Sequence, residues 1–362
     1  MRLEHLWLTD YRNYETAELV PAPTGLTVVT GANGEGKTNL LEAIGYLATL
    51  KSFRGAPADA LVRIGAERAV VRAEGHRDER ALLIEAEIRP TGRDRVLVNR
   101  QPLKRTRDLL GVWRTTVFSP DDLALVKAGP ALRREYLDDV LVAISPRYDA
   151  TLGDLDRVLR QRNTLLRQAG SGGGRPLSED VARTLDVWDA KLSELGTVVS
   201  DTREQLCRQL EPEVGKAYES LAGGPIAVGL AYQRSWTGEL ALAVAGARTD
   251  DVRRGVTTVG PHRDELGLTI AGMPARTHAS QGEQRTMALA LRLAGHRVIR
   301  ESVGTPPILL LDDVFSELDQ DRAAALLAHL PEGQAILTTA GIIPAGARPD
   351  AVFSVRAGAI HG

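Results

Sequence analysis

Gly31, Gly36, Lys37 and Thr38 stand at the spacing G-x-x-x-x-G-K-[ST], the pattern of a phosphate-binding loop. Glycines let successive backbone N–H groups turn inward around phosphate oxygens, the lysine reaches the outer phosphates, and the hydroxyl binds Mg²⁺. On this reading Gly31, Ala32, Asn33, Gly34, Glu35, Gly36, Lys37, Thr38 and the adjoining Asn39 line a nucleotide cradle, with ATP and Mg²⁺ as its occupants. Such a loop needs an acidic partner for the metal. The run ILLLDD at residues 308–313 offers two carboxylates at the end of an apolar strand. Asp312 is placed to hold Mg²⁺ directly or through water, and Asp313 to orient the attacking water. Between the two motifs, SQGEQ at residues 280–284 puts Ser and Gly at a helix start, a second place suited to an anion. SELD, residues 316–319, follows the acidic strand.

The flanking segments have the patterns that would position this chemistry. LTVVT, residues 26–30, reads as a buried strand entering the loop. In NLLEAIGYLATL the residues Leu40, Leu41, Ile44 and Leu47 fall near helical spacing, so a helix N-terminus aims its free N–H groups and positive dipole end at the phosphates. AVVRAEG, ALLIEAEI and RVLVNRQPL read as successive antiparallel strands, and Ser119-Pro120 breaks the pattern after them. From Leu123 to about Leu221 the chain turns helical. Val181, Leu185, Trp188, Leu192, Leu195 and Val199 form one seam, and Tyr148, Leu152, Leu155 and Leu159 another. GSGGGRP, residues 170–176, joins them into an expected antiparallel hairpin, with Ser178 as a helix start. GELALAVAGA and ELGLTI read as strands, and α/β alternation returns after them. The expected organisation is a nucleotide-binding domain over 1–122 and 224–362, interrupted by an all-helical lobe over 123–223.

Composition narrows the function classes. The chain has 362 residues, 43% of them hydrophobic, and a net charge of −2. No apolar run reaches the roughly 18 residues of a membrane span, and the N-terminus lacks the apolar core of a signal peptide, so a soluble cytoplasmic protein is expected. A single cysteine, Cys207, excludes an internal disulfide framework and reads as an ordinary helix residue. Only six of the 45 Lys and Arg residues are lysine, a bias that decides nothing alone.

In series, the loop, SQGEQ, ILLLDD and SELD resemble the Walker A, signature, Walker B and D-loop motifs of ABC-type ATPases. LTDYRNY at residues 8–14, VFSPDDLALVKAGPALRREYLD, TTVGPHRDEL at 257–266 and LLLDDVFSELD carry the resemblance further. Over essentially the whole chain they are similar to the RecF-like, SMC-related family of bacterial recombination-repair ATPases, and transporters share neither the SPDDL segment nor GPHRDEL. The resemblance implies an ABC-type P-loop ATPase domain of mixed β-sheets and helices. It also implies a weak DNA-dependent ATPase that dimerises on ATP and acts with RecR and RecO to help load RecA at gapped DNA, with roles in replication and the SOS response. In such proteins the signature of one subunit meets the ATP held by the other. Carried over, Ser280, Gln281, Gly282 and Glu283 would touch nucleotide across a dimer seam lined by Asp319, and Arg12 and Asn13 would lie near the nucleotide. Two departures from transporter ATPases stand out. Thr338 or Thr339 occupies the place of their switch histidine, and Asp313 that of their glutamate; both suggest slow turnover. No residue stands out as an equivalent of the Q-loop glutamine; the SPDD segment is where it would fall.

Residues 72–114 hold eleven basic and seven acidic residues, densest in NRQPLKRTR with Arg100, Lys104, Arg105 and Arg107. Such a run suits either a solvated face or contact with nucleic-acid phosphates, which needs no base-reading groups. Two other classes compete. A transporter subunit would read L-S-G-G-Q and lack the helical insert, and a P-loop kinase would need neither SQGEQ nor SELD.

Overall fold

A computed structural model describes residues 1–170 and 178–362; most of the expected glycine turn lies outside them. The chain divides into two compact units, one of residues 1–123, 213–226 and 285–362, the other of 124–212 and 227–284.

The first unit opens with a hairpin, β1 (Arg2–Tyr11) and β2 (Tyr14–Leu19), followed by β3 (Gly25–Thr30), which feeds the phosphate-loop helix α1 (Lys37–Thr49). A short α2 (Ala58–Leu61) precedes β4 (Ala69–Arg77), β5 (Arg80–Ile88), β6 (Arg95–Val98), β7 (Gln101–Pro102) and β8 (Thr115–Phe118). Six of these strands form one sheet in the order β2-β1-β4-β5-β6-β7, paired antiparallel throughout. AVVRAEG and ALLIEAEI fall on β4 and β5 as expected, whereas RVLVNRQPL folds into the β6–β7 hairpin. Alternation along β4 puts Ala69, Val71 and Ala73 inside, as the period of two requires.

The second unit begins with α3 (Leu123–Lys127), α4 (Pro130–Ile144), α5 (Tyr148–Gly170) and the 44-residue α6 (Glu179–Ala222), whose last ten residues pack with the first unit. Leu185, Leu192 and Val199, every seventh residue of α6, are fully buried, and Leu155 and Val158 of α5 are nearly so. Arg162 of α5 bonds Asp189 of α6 at 2.6 Å, tying the hairpin together. Then come β9 (Val228–Gln233), α7 (Leu240–Arg254), β10 (Glu265–Ile270), β11 (Met273–Pro274), α8 (Ala275–His278) and the start of α9 (Gln281–Val303). The unit boundaries differ from the expected 1–122, 224–362 and 123–223. Residues 227–284 pack with the helices, which thereby gain a three-stranded antiparallel sheet, β11-β10-β9. GELALAVAGA is also corrected: its bulk is the first half of α7, stopped by Gly255 at φ 65°. Alanine is the strongest helix former, and its alternation with Leu and Val imitates a strand's period of two.

The chain returns to the first unit through the rest of α9, then β12 (Ile308–Asp312), α10 (Gln320–Ala328), β13 (Gln334–Thr339), β14 (Ala351–Arg356) and β15 (Ala359–His361). The second sheet runs β15-β14-β3-β13-β12-β8, parallel except for the edge strand β15. Leu40, Leu41, Ile44 and Leu47 of α1 share one core with Leu6, Val71 and Ile84 of the antiparallel sheet and with Val29, Leu310 and Ile336 of the parallel one. A helix buried on nearly every side must be apolar almost all round, and α1 is. Among the described residues no helix is long and apolar enough to cross a membrane.

Arg162 is the buried charge on which the second unit closes. It is fully enclosed and bonds Asp189, Asp251 at 2.7 Å and Thr257 at 2.9 Å. Removing one partner strands the others without compensation. Arg162→Ala is expected to cost about 3–5 kcal/mol in urea unfolding followed by helix circular dichroism.

Candidate nucleotide-binding site

β3 ends at Thr30 and the loop turns at once. Gly31 runs against β14, where a Cβ would come within 2.5 Å of the Val355 carbonyl oxygen. Gly36, the N-cap of α1, sits at φ 116° with no side chain capping the helix, so the first amides of α1 are left to an external acceptor. Lys37 is only 6% exposed, and its Nζ donates to the Ala32 carbonyl at 2.8 Å, curled back inside its own loop. Tyr14 fixes the turn from beneath, its hydroxyl donating to the Gly36 carbonyl at 2.9 Å.

The acidic strand arrives where expected. Thr38 Oγ1 donates to Asp312 Oδ1 at 2.9 Å, and Thr338 Oγ1 donates to the same oxygen at 2.8 Å. Burial raises the Asp312 pKa, and the two hydroxyl bonds oppose that rise. One of the two threonines standing at the switch position therefore touches the Asp312 carboxylate directly. Asp313 turns out of β12 at φ 48°, its amide donating to Thr338 Oγ1 at 3.1 Å. Its Oδ1 is enclosed and accepts no hydrogen bond among the described residues. A buried carboxylate oxygen with no donor suits a water or ligand supplied from outside. The donor set also fits Mg²⁺, which binds through one or two carboxylates, a hydroxyl and substrate phosphates and needs no cage of protein ligands.

Arg12 and Asn13 are the two residues between β1 and β2; Asn13 reaches the loop, and Arg12 reaches the helix behind it. Arg12 forks onto Glu42 with two bonds of 2.7 Å. Glu42 is fully buried inside α1, and no periodicity could have singled it out; a carboxylate in an otherwise apolar helix face was the available signal. The Arg12 guanidinium is thus committed to holding α1, its pKa raised by that bond. Asn13 donates to the Glu35 carbonyl at 2.8 Å and accepts from Asn39 at 2.8 Å, and Asn39 in turn accepts from Arg54 at 3.3 Å. Nothing in the sequence marks Arg54, because its surroundings repeat no motif.

The remaining expected residues have local partners. Asp319 caps α10 by accepting from the Arg322 amide at 2.8 Å. Ser280, Gln281, Gly282 and Glu283 belong to the second unit and open α9. Ser280 and Glu283 form a capping box, the serine amide and hydroxyl both donating to Glu283 Oε2 at 2.7 and 2.8 Å. SPDD closes a cavity in the first unit, lined by Ser119, Pro120, Asp122, Val314 and Leu318 beside the acidic strand. His262 and Arg263 both contact the Thr257 carbonyl, at 3.0 and 3.2 Å. Burial lowers the His262 pKa, which leaves a neutral ring in a structural role. The neighbouring Asp264 accepts from Ser200, Tyr232 and the Ser235 amide, so GPHRDEL is an internal lock of the second unit.

A Cβ on Gly36 would lie 2.6 Å from the Asn13 amide nitrogen, at a backbone angle that side chains avoid. Gly36→Ala is expected to lower ATP affinity at least tenfold in titration calorimetry while leaving the far-ultraviolet spectrum intact.

Comparison with known proteins gives a consistent picture. The RecF/RecN/SMC N terminal domain family matches residues 2–340. The chain is 46% identical over 357 residues to the DNA replication and repair protein RecF of Streptomyces avermitilis, covering 94% of each. It is 45% identical over 357 residues to that of Frankia alni, again with 94% of each covered. A solved structure of the recombination mediator protein RecF-ATP in the RecFOR pathway matches with a TM-score of 0.88 and 30% identity, over 99% of this chain and 98% of that one. The Smc head domain derived from Pyrococcus furiosus shares the fold, with a TM-score of 0.58 at 17% identity over 99% and 95% of the two chains.

Proposed function

The chain belongs to the RecF/RecN/SMC N terminal domain family, and from that premise we propose that it is an ATP-dependent switch of DNA repair and replication. The observation that carries the reading is the meeting of Thr38, Asp312 and Thr338 on one carboxylate oxygen behind an open helix N-terminus. In this mechanism Lys37 leaves the Ala32 carbonyl and neutralises the outer phosphates, while the α1 amides bind their oxygens. Thr38 and Asp312 would hold Mg²⁺, which supplies charge neutralisation on the phosphates when bound. Asp313 accepts a hydrogen bond from the attacking water and orients it, and Thr338 holds Asp313 in place through its amide. An aspartate one carbon shorter than glutamate, with no histidine beside it, makes hydrolysis slow and suits a switch better than a motor.

The second half of the reaction concerns assembly. Ser280, Gln281, Gly282 and Glu283 of one copy would meet the ATP held by another, with Asp319 at the seam. Each nucleotide then contacts two subunits, so ATP favours the dimer because it binds the dimer better than the monomer. A dimer carries two DNA-binding faces and grips DNA more tightly than a monomer. The solved RecF-ATP relative is described within the RecFOR pathway, which supports RecR and RecO as partners; RecA loading at gapped DNA is the outcome that the family resemblance implies.

Two variants test the scheme. Asp313→Asn should slow ATP hydrolysis by about 100-fold or more, leave ATP bound, and accumulate a dimer in gel filtration with ATP and Mg²⁺. Wild-type turnover in this variant would remove Asp313 from the chemistry. Ser280→Arg should bind ATP with near-normal affinity yet remain monomeric on the same column; an intact ATP-driven dimer would remove SQGEQ from the seam.

A further inference from the structure

Residues 89–107 carry seven Arg and Lys side chains and a single acidic one, Asp94, in a chain whose net charge is −2. That carboxylate is already engaged. It accepts from the Tyr46 hydroxyl of α1 at 3.0 Å and from the Arg89 amide at 3.2 Å. Several neighbouring arginines are neutralised, Arg89 among them: Arg63 by Asp10, Arg68 and Arg89 by Glu87, Arg72 by Glu74. By contrast, Arg93, Arg95, Arg100, Lys104 and Arg105 are exposed, and none is in an ion pair among the described residues.

The backbone beneath them is built to hold this charge still. β6 and β7 form a hairpin at the sheet edge around a two-residue turn, Asn99 and Arg100, at φ 50° and 66°. Both positions are left-handed, and such turns usually place glycine second. Arginine there is strained, and a long cation at a strained position points to use of that cation. Asn99 pins the turn to β5 by exchanging two bonds with Leu83, 2.7 Å from its amide and 2.8 Å to its side-chain oxygen. Leu103 returns to the Val96 carbonyl at 2.9 Å. An edge strand needs only a charge or two to discourage pairing with another sheet; five uncompensated cations go well beyond that.

We propose that the β6–β7 hairpin is a contact for the DNA phosphate backbone, with Arg100 at its tip and Arg93, Arg95, Lys104 and Arg105 beside it. The assignment rests on the DNA-binding function proposed above and says where on the chain that binding occurs. With the Asn99 amide oxygen committed to Leu83, the surface offers charge rather than base-edge readout, so contact is independent of sequence. Because Asp94 hangs from Tyr46 of the phosphate-loop helix, the hairpin and the nucleotide site share one rigid helix.

The test is fluorescence anisotropy of a labelled gapped duplex with the full chain, across a salt series, with and without ATP and Mg²⁺. Arg100→Ala/Lys104→Ala/Arg105→Ala should bind at least about tenfold more weakly, and its slope of log affinity against log salt should be shallower by about 2.7, since each lost phosphate contact removes about 0.9. Arg100→Gly separates function from fold. Glycine relaxes the turn, so this variant should melt at a higher temperature than wild type and still bind DNA more weakly, with a slope shallower by about 0.9. A triple variant with wild-type affinity and slope overturns the hairpin assignment while leaving the DNA-binding function intact. Wild type that binds no DNA in any nucleotide state overturns the function itself. Preference of the wild-type hairpin for phosphatidylserine vesicles over DNA, lost in the triple variant, also overturns the assignment.

Discussion

One buried carboxylate organises the first unit. Asp312 is 5% exposed at the end of a strand whose other residues are wholly apolar, and a carboxylate so enclosed is tolerable only with donors. Its two donors come from Thr38 at the start of α1 and Thr338 near the end of β13. Both bonds require a fixed parallel register. Asp312 lies beside Thr338, Thr338 beside Val29, and Thr339 beside Thr30, from which the phosphate loop departs. A slip of one residue anywhere in β3, β13 or β12 would turn one of these side chains to the opposite face. The loop's shape, the helix behind it and the order of strands are therefore answers to the same requirement.

The second unit depends on a similar economy with charge of the other sign. Arg162 of α5 gathers Asp189, Asp251 and Thr257 from α6, α7 and the segment after it, and Arg203 does the same with Asp138 and the Pro261 carbonyl. The chain's preference for arginine over lysine has a structural use in these places. A planar fork with several donors can satisfy partners on separate elements at once, where an ammonium cannot. Cys207, the sole cysteine, is packed in α6 with its thiol pKa pushed up to about 12 by burial, an inert filler as its surroundings suggest.

Much of the candidate nucleotide site is legible in the amino-acid sequence, because the loop and the acidic strand are each written in consecutive residues. Strand, loop and helix around residues 26–49 follow from a local change of hydrophobic period. What escapes is long-range. The pairing of Arg12 with Glu42 depends on a hairpin turn meeting a helix, and the one local mark on Glu42, a carboxylate on an apolar helix face, does not name its partner. The small sheet of β9 to β11 joins the helices rather than the nucleotide-binding part, and a strand's pattern does not say which neighbours it joins. α7 imitates a strand because alternating Ala, Leu and Val satisfy both periods over ten residues. GPHRDEL is legible as a motif but not as a lock, since the groups it holds, Ser200, Tyr232 and Ser235, lie far from it in sequence.

The order of strands in the parallel sheet bears on how the protein comes into being. β3, formed by residues 25–30, lies between β13 and β14, which are not synthesised until residues 334–356. β8 likewise waits for β12, and the Met1 ammonium donates to the Pro306 carbonyl. On a ribosome the segments 124–212 and 227–284 can complete their own packing while the first strands still lack partners, and pairings of such long separation close slowly. The unpaired β3 is then an apolar edge exposed for most of translation, a demand on chaperones set by topology alone. The compensating gain is that a truncated chain has no Asp312 and no β13 beside its loop. An unfinished copy therefore cannot hold nucleotide in the geometry of the finished protein.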